Sequence, residues 1–291
     1  MAEDIEVQEF FNRGAKLVPN VIGGALGAAI GLTGGPAGAI IGGIVGPYFA
    51  GTLERLTSEY ITRSLGVRQK DRAAAGILLM QEAVRLRLDN GESLNSDQWE
   101  TRENGRSSVD EVAEQAIQLM ISSVDERRLP FMANFYASVY FSRDFRSDQA
   151  QAIGRKLETL SFQNMCVVHL VANGSLYSGH SRPTESARQW PIKDRVLAND
   201  IFDLKGIFVQ VVAGEESAIA LLGFDEVDPG IMRLSALGNL LHDMMGLNGI
   251  SANDSTLVAT RESLENISLY PLEDPDLVEA FSLGTINGGI F

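Results

Sequence analysis

VIGGALGAAIGLTGGPAGAIIGGIVG, residues 21–46, lies inside a run of 37 residues without a charge, between Lys16 and Glu54. The run holds 11 of the chain's 29 glycines, and most of them recur every four residues. On a helix such repeats stack on one face, so each series predicts a strip that carries no side chains. The two series are Gly23, Gly27, Gly31 and Gly35, and then Gly34, Gly38, Gly42 and Gly46.

The middle of this run carries a turn signal, Thr33-Gly34-Gly35-Pro36, which favours a helical hairpin over one long helix. Each glycine inside a helix costs roughly 1 kcal/mol relative to alanine, so the hairpin needs close packing to compensate. An arm of about 15 residues is about 22 Å long, shorter than the roughly 30 Å hydrocarbon core of a bilayer. The sequence leaves open whether lipid, other copies of the segment or the protein's own core covers the hairpin.

Basic residues flank the run on both sides, which predicts that both ends of an inserted hairpin lie on the cytoplasmic side. The acidic N-terminus and the length of the run argue against a secretory signal peptide. The flanking cations are Arg13 and Lys16 before the run, then Arg55, Arg63, Arg68 and Lys70 after it.

Length, composition and charge limit the domain number, the kinds of partner and the compartment that the chain can have. With 291 residues and 45% hydrophobic content, it has enough apolar material for one large or two ordinary domains. The net charge of −14 argues against broad nucleic-acid binding. A single cysteine, Cys166, excludes an intramolecular disulfide and favours a reducing compartment. We therefore expect a cytoplasmic protein, or one at the cytoplasmic face of the inner membrane.

Helical patterns dominate the first 175 residues. Apolar residues from Ala73 to Leu88 keep helical spacing, with charged residues elsewhere on the helix, and predict an amphipathic core helix. Ser108-Val-Asp-Glu111 predicts a capping box at the start of another helix. Ser147 and Ser161 predict the N-caps of two further helices, which reach to about residues 160 and 173. Six aromatic residues predict one broad packing face on a helix: Phe131, Phe135, Tyr136, Tyr140, Phe141 and Phe145.

Beyond residue 174 the pattern changes. Short apolar runs at residues 217–223 and 230–234 predict a β-hairpin, and a helix from about Ser235 to Met245 follows. This order is typical of a winged-helix-like module, although a simple α+β end cap fits equally well. The predicted fold is mainly α. It divides into a glycine-rich hairpin segment with flanking helices (residues 1–66), a helical domain (67–174) and a C-terminal α+β module (175–291).

The chain offers little catalytic chemistry. Cys166 and His169 lie three residues apart on one predicted helix, but their apolar surroundings predict buried core positions. The motifs of nucleophile elbows, phosphate loops, dinucleotide folds and zinc proteases are absent from the sequence. We therefore predict no catalytic residue, no cofactor and no metal site. An enzyme that uses the acidic group at residues 225–228 is a third possibility.

A set of apolar-dominated motifs extends over roughly residues 125–245. The motifs are DERRLPFMANFYASV at residues 125–139, the helix at 152–160, SFQNM at 161–165 and MRLSALG at 232–238. In these motifs the chain resembles the prokaryotic abortive-infection alpha family. The resemblance implies a role in phage defence or growth arrest and assigns no catalytic residues.

These patterns favour a non-enzymatic, membrane-associated effector that acts through insertion or assembly of the glycine-zipper hairpin. We expect a homo-oligomer with a protein partner or trigger. The alternative is a soluble oligomeric scaffold or adaptor, with the hairpin buried in its core. The predicted membrane or oligomer contacts are Gly23, Gly27, Gly31, Gly35, Gly38, Gly42 and Gly46.

Overall fold

The computed structural model describes residues 2–18, 47–95, 107–143, 145–174, 191–204, 208–211 and 232–269. Helices hold 78% of the residues that can be interpreted, which confirms the mainly-α fold class. The described helices are α1 (Ala2–Ala15), α2 (Pro47–Thr62), α3 (Val67–Asp89), α4 (Ser108–Ser122), α5 (Leu129–Phe141), α6 (Ser147–Thr159), α7 (Phe162–Ala172), α8 (Ile192–Leu204), α9 (Ala236–Met245) and α10 (Ser255–Leu269). Short 3₁₀ turns lie at Glu126–Arg128 and Leu247–Gly249, and the strands are β1 (Val209–Val211) and β2 (Met232–Leu234).

The chain divides into two compact units. The first comprises residues 1–162 with 244–246, and the second comprises residues 163–243 with 247–291. The first unit therefore takes in residues of both the predicted hairpin segment and the predicted helical domain.

Helix α3 is the centre of the first unit, in contact with α1, α2, α4 and α5. It is buried continuously from Ala73 to Gln81, so the middle of the helix has no solvent face. The sequence pattern predicted an amphipathic helix here. Alanine and glycine explain the difference, because their small side chains let several neighbouring helices approach the same stretch. A Cβ atom on Gly76 would lie only 2.7 Å from the Met120 sulfur on α4.

Helix α4 begins with a capping box, one residue earlier than the sequence predicted. The Ser107 hydroxyl accepts a hydrogen bond from the Asp110 amide at 3.1 Å, and an Asp110 carboxylate oxygen accepts from the Ser107 amide at 3.0 Å. This reciprocal pair satisfies two donors that the helix start would otherwise leave open.

Helix α5 carries most of the predicted aromatic face. Phe135 and Tyr136 are fully buried and Tyr140 nearly so, which confirms their interpretation as packing residues. Phe135 also makes edge-to-face contacts with Tyr136 and with Phe145, which follows the helix. Pro130 stands in the first turn of α5, where its missing amide proton costs no helical hydrogen bond.

The second unit contains a small two-stranded sheet. Strands β1 and β2 pair antiparallel, with Val209 opposite Leu234. The Ser235 amide donates to the Phe208 carbonyl at 2.9 Å, and the Ser235 hydroxyl accepts from the Gly238 amide at 2.9 Å in the first turn of α9. Helix α9 confirms the predicted helix at residues 235–245. Helices α8 and α10 pack against each other in the same unit.

The predicted wing is only partly within the described residues. Its second strand is present as β2, and β2 pairs with β1 at residues 209–211, which the sequence pattern did not single out. The other predicted strand, residues 217–223, lies outside the described residues, and so does the glycine-rich hairpin.

Candidate functional site

The seven predicted contact glycines, from Gly23 to Gly46, lie outside the described residues. What the structure describes is the pair of helices from which this segment leaves and to which it returns. We call residues 19–46 the glycine segment. We call α1 and α2, together with their partners on α3 and α4, the segment base. Both flanking helices belong to the first unit; they contact each other, and both contact α3.

Helix α1 approaches α3 through a glycine. A Cβ atom on Gly14 would lie 2.5 Å from the Ala75 nitrogen and 2.6 Å from the Ala74 Cβ. Because real Cβ atoms do not come this close to other atoms, only glycine permits this approach of α1 to the buried alanines of α3. Val18, the last described residue before the glycine segment, is buried.

An ion pair fixes the same end of α1. The Arg13 guanidinium donates to an Asp71 carboxylate oxygen at 2.7 Å and lies 3.5 Å from the Val67 carbonyl. The Asp71 side chain is 14% exposed and that of Arg13 34% exposed, so solvent screens the pair only in part. The N-terminal flank is thus held by both packing and charge.

On the other side of the glycine segment, α2 is held by Asp110 of α4. One Asp110 carboxylate oxygen accepts hydrogen bonds from the Thr52 hydroxyl and the Arg55 guanidinium, each at 2.9 Å. The other oxygen belongs to the capping box with Ser107. A single carboxylate therefore starts α4 and anchors α2 at the same time.

The pKa of Asp110 reflects this double role. Burial alone raises it, but the hydrogen bonds from the Ser107 amide, Arg55 and Thr52 outweigh burial and lower the pKa below its ordinary value. The carboxylate is therefore ionised at neutral pH.

The remaining turns of α2 are packed tightly into the first unit. Leu53, Leu56 and Tyr60 are fully buried on one helix face. The Tyr60 hydroxyl accepts from the Gln118 amide at 3.0 Å, and burial raises the pKa of Tyr60 to about 12. Lys70 of α3 donates to the Ile61 carbonyl near the end of α2 at 2.6 Å.

Four of the six flanking cations form ion pairs with carboxylates of the same unit. Arg13 pairs with Asp71, Arg55 with Asp110, Arg63 with Glu59 and Arg68 with Glu126. Sequence reasoning interpreted these residues only through their distribution around the uncharged run. Arg63 pairs with a residue four positions away on the same helix. The partners of Arg13, Arg55 and Arg68 lie 55 to 58 residues away, so only the fold identifies these three pairs.

Asp110→Asn is expected to lower the free energy of unfolding at pH 7 by ~1–2 kcal/mol, because the charge-assisted hydrogen bonds to Thr52 and Arg55 weaken. Since Arg55 is 40% exposed, screening keeps the loss in this range. The folded pKa of Asp110 lies below the unfolded value, so its contribution is complete near neutral pH and disappears as pH falls through the folded pKa. Urea unfolding of both proteins at pH 7, 5 and 3 measures the difference between their free energies of unfolding, which should narrow only at pH 3.

The control for this change is Asp148→Asn on α6, where the carboxylate is 63% exposed and pairs with Arg146. Its expected effect is below about 0.5 kcal/mol. Equal losses in the two variants would show that Asp110 does not anchor α2.

Other candidate groups belong to the second unit. Cys166 is fully buried, as predicted, whereas His169 is half-buried. The His169 ring stacks on that of His242, a contact between residues too distant in sequence for the pattern to predict. In the described ranges, no three His, Cys, Asp or Glu side chains come together in a way that could hold a metal ion. The acidic group at residues 225–228 lies outside those ranges.

Comparisons with known proteins give no family assignment: the chain matches no protein-family model, and no curated protein and no solved structure is significantly similar to it. Among the helices that the structure describes, none is both long and apolar enough to cross a membrane.

Proposed function

We propose that this chain is a non-enzymatic effector that acts at a membrane by inserting or assembling its glycine segment. The observation that supports the proposal is the segment base. Helices α1 and α2 contact each other and pack on the same central helix, so both flanks of the segment belong to one folded unit. Flanks held together in this way are compatible with a hairpin that enters and leaves a bilayer on the same side.

The glycine series supports the contact chemistry of the proposal. Association of helices in lipid depends on van der Waals packing, and small residues at four-residue spacing permit the closest backbone approach. The proposed contact positions are Gly27 and Gly31 on the first arm, with Gly38 and Gly42 on the second. Because each arm is short for a full bilayer, several copies would assemble and thin the membrane locally.

The proposed role is growth arrest or phage defence, at the cytoplasmic face of the inner membrane. It rests on the resemblance of residues 125–245 to the abortive-infection alpha family, together with the membrane-active segment. In such a role the folded units hold the glycine segment until a partner protein triggers its release. The released segments of several copies then assemble into a homo-oligomer.

A second candidate is a soluble oligomeric scaffold whose glycine segment is buried among copies of itself. One observation favours it. At Gly14 the chain already uses a glycine to bring two helices into close contact inside protein, against Ala74 and Ala75 of α3. The same device, repeated in the glycine segment, would build a protein core.

The proposed function is tested by replacing residues 19–46 with a flexible glycine-serine linker, which leaves α1 and α2 in place. The full chain is expected in the membrane pellet and to slow growth, whereas the linker variant is expected in the supernatant without effect on growth. Circular dichroism of the variant checks that the helices remain folded. A full chain that stays in the detergent-free supernatant as a large oligomer would support the scaffold, and one that stays there as a monomer would contradict both proposals.

A further inference from the structure

Two imidazole rings of the second unit lie face to face. His169 on α7 and His242 on α9 stack with ring centroids 5.9 Å apart and planes inclined by 15°. The His242 side chain is 7% exposed, and within the described part of the chain its Nε2 atom has no hydrogen-bond partner. Parallel rings do not converge their lone pairs on one point, so this geometry favours packing of the two rings over a shared metal ion.

Among the described residues, the surroundings of the pair are poor in groups that stabilise a positive charge. Arg261 on α10 is a cation whose field acts on His169. On α9, an Asp243 carboxylate oxygen lies 3.3 Å from Nδ1 of His242, but the side chain is 79% exposed and therefore well screened. The amide nitrogen of Asn173, a donor, lies 3.2 and 3.3 Å from the two ring nitrogens of His169.

We propose that the His169–His242 stack is an acid-sensitive latch, which holds α7 against α9 while the His169 ring is neutral and loosens when that ring is protonated. Protonation of His169 places a cation on a half-buried ring, beside the buried ring of His242 and in the field of Arg261. The unfolded or opened state places the same charge in water, so acid favours opening.

The pKa of His169 sets the direction in which stability of the contact changes with pH. Burial, then His242 and Arg261, lower the pKa of His169 in the folded protein below the ordinary value of 6.5. The opened state therefore binds more protons than the folded state at acidic pH. Stability of the contact is complete above about pH 7 and declines as pH falls below the unfolded value. This device is independent of the proposed membrane activity.

Hydrogen exchange measured by mass spectrometry on the purified full chain tests the latch at pH 7.5 and pH 5.5, after correction for the intrinsic pH dependence of exchange. In the wild-type protein, the corrected exchange rate of α7 and α9 is expected to be about threefold higher at pH 5.5 than at pH 7.5. The corrected exchange rate of α3 in the first unit is expected to be the same at both pH values. His169→Gln is expected to remove the increase. His180→Gln, which changes the chain's only other histidine, should behave like the wild type.

An independent measurement keeps the test valid if His169→Gln does not fold. Titration of the wild-type histidine signals by nuclear magnetic resonance should give His169 a pKa below the ordinary value of 6.5, with its signal assigned by its absence from a His169→Asn or His169→Gln spectrum. Exchange of α7 and α9 that is equal at the two pH values, or an acid effect that persists in a folded His169→Gln protein, would overturn the latch.

Discussion

Gly31→Leu and Gly42→Leu are each expected to abolish membrane association and the effect on growth. On the proposed helical arms, both positions would lie on the strip where backbones meet, and a leucine there would hold the partner helix away. Leucine also makes the segment more apolar, worth about 0.5 kcal/mol toward insertion at the centre of a helix. Hydrophobic partitioning alone therefore predicts stronger association, while close packing predicts its loss. Membrane fractionation, with growth curves under matched expression, decides between them.

Ala29→Leu is the matched control for these variants. It adds nearly the same apolar surface two residues away from both Gly27 and Gly31, on the opposite side of the proposed helix. Its association should equal or exceed that of the wild type. If Gly31→Leu and Gly42→Leu fractionate like Ala29→Leu, the contact strips do not exist.

Gly14→Ala is expected to lower the free energy of unfolding of the first unit by ~1–3 kcal/mol, because the added methyl group overlaps the backbone of α3. The new Cβ would lie 2.5 Å from the Ala75 nitrogen, an atom that can move only with the helix. Helix α1 must therefore shift away from α3, and the N-terminal flank of the glycine segment loses its support. Thermal and urea unfolding measure the loss, and limited proteolysis after Arg13 or Lys16 reports the release of α1.

The same substitution at Gly51 is the control, since this residue of α2 is exposed and a Cβ there meets no atom within 4 Å. Gly51→Ala is expected to stabilise the protein by about 0.5–1 kcal/mol, because alanine is the better helix former. Opposite signs for the two variants support the close approach of α1 to α3. A Gly14→Ala protein as stable as Gly51→Ala would contradict it.

Local signals in the sequence predicted much of the helical part of the fold. The capping chemistry at residues 107–111 placed the start of α4 within one residue, because a cap depends on neighbours three positions apart. The helix that ends at Met245 and the burial of Phe135 and Tyr136 also follow from short-range periodicity. These features need no knowledge of distant contacts.

Features that depend on tertiary structure could not be predicted in this way. The all-round burial of α3 results from the number of helices around it, which the spacing of Ala73, Ile77 and Met80 does not encode. Strand β1 has only three residues, too few for a recognisable alternation, and its partner lies beyond residue 231.

For the candidate site, the sequence predicts the glycine segment but not the contacts of the segment base. Glycine spacing predicts a helical strip, but it does not reveal that Asp110 would bond Thr52 and Arg55, because those partners lie 58 and 55 residues away. The stack of His169 on His242 is a contact of the same kind. In both cases the fold brings together polar groups whose local sequence carries no sign of the pairing.

Flotation with lipid vesicles tests the central claim most directly. Two proteins are compared: the purified full chain and the variant with residues 19–46 replaced by a linker. Each is mixed with vesicles of phosphatidylethanolamine and phosphatidylglycerol and centrifuged through a density gradient. Light scattering gives the size of the protein that does not bind lipid. The account predicts that the full chain rises with the lipid and that the linker variant stays at the bottom as a folded protein. A full chain that remains at the bottom as a monomer, as the linker variant does, would contradict it.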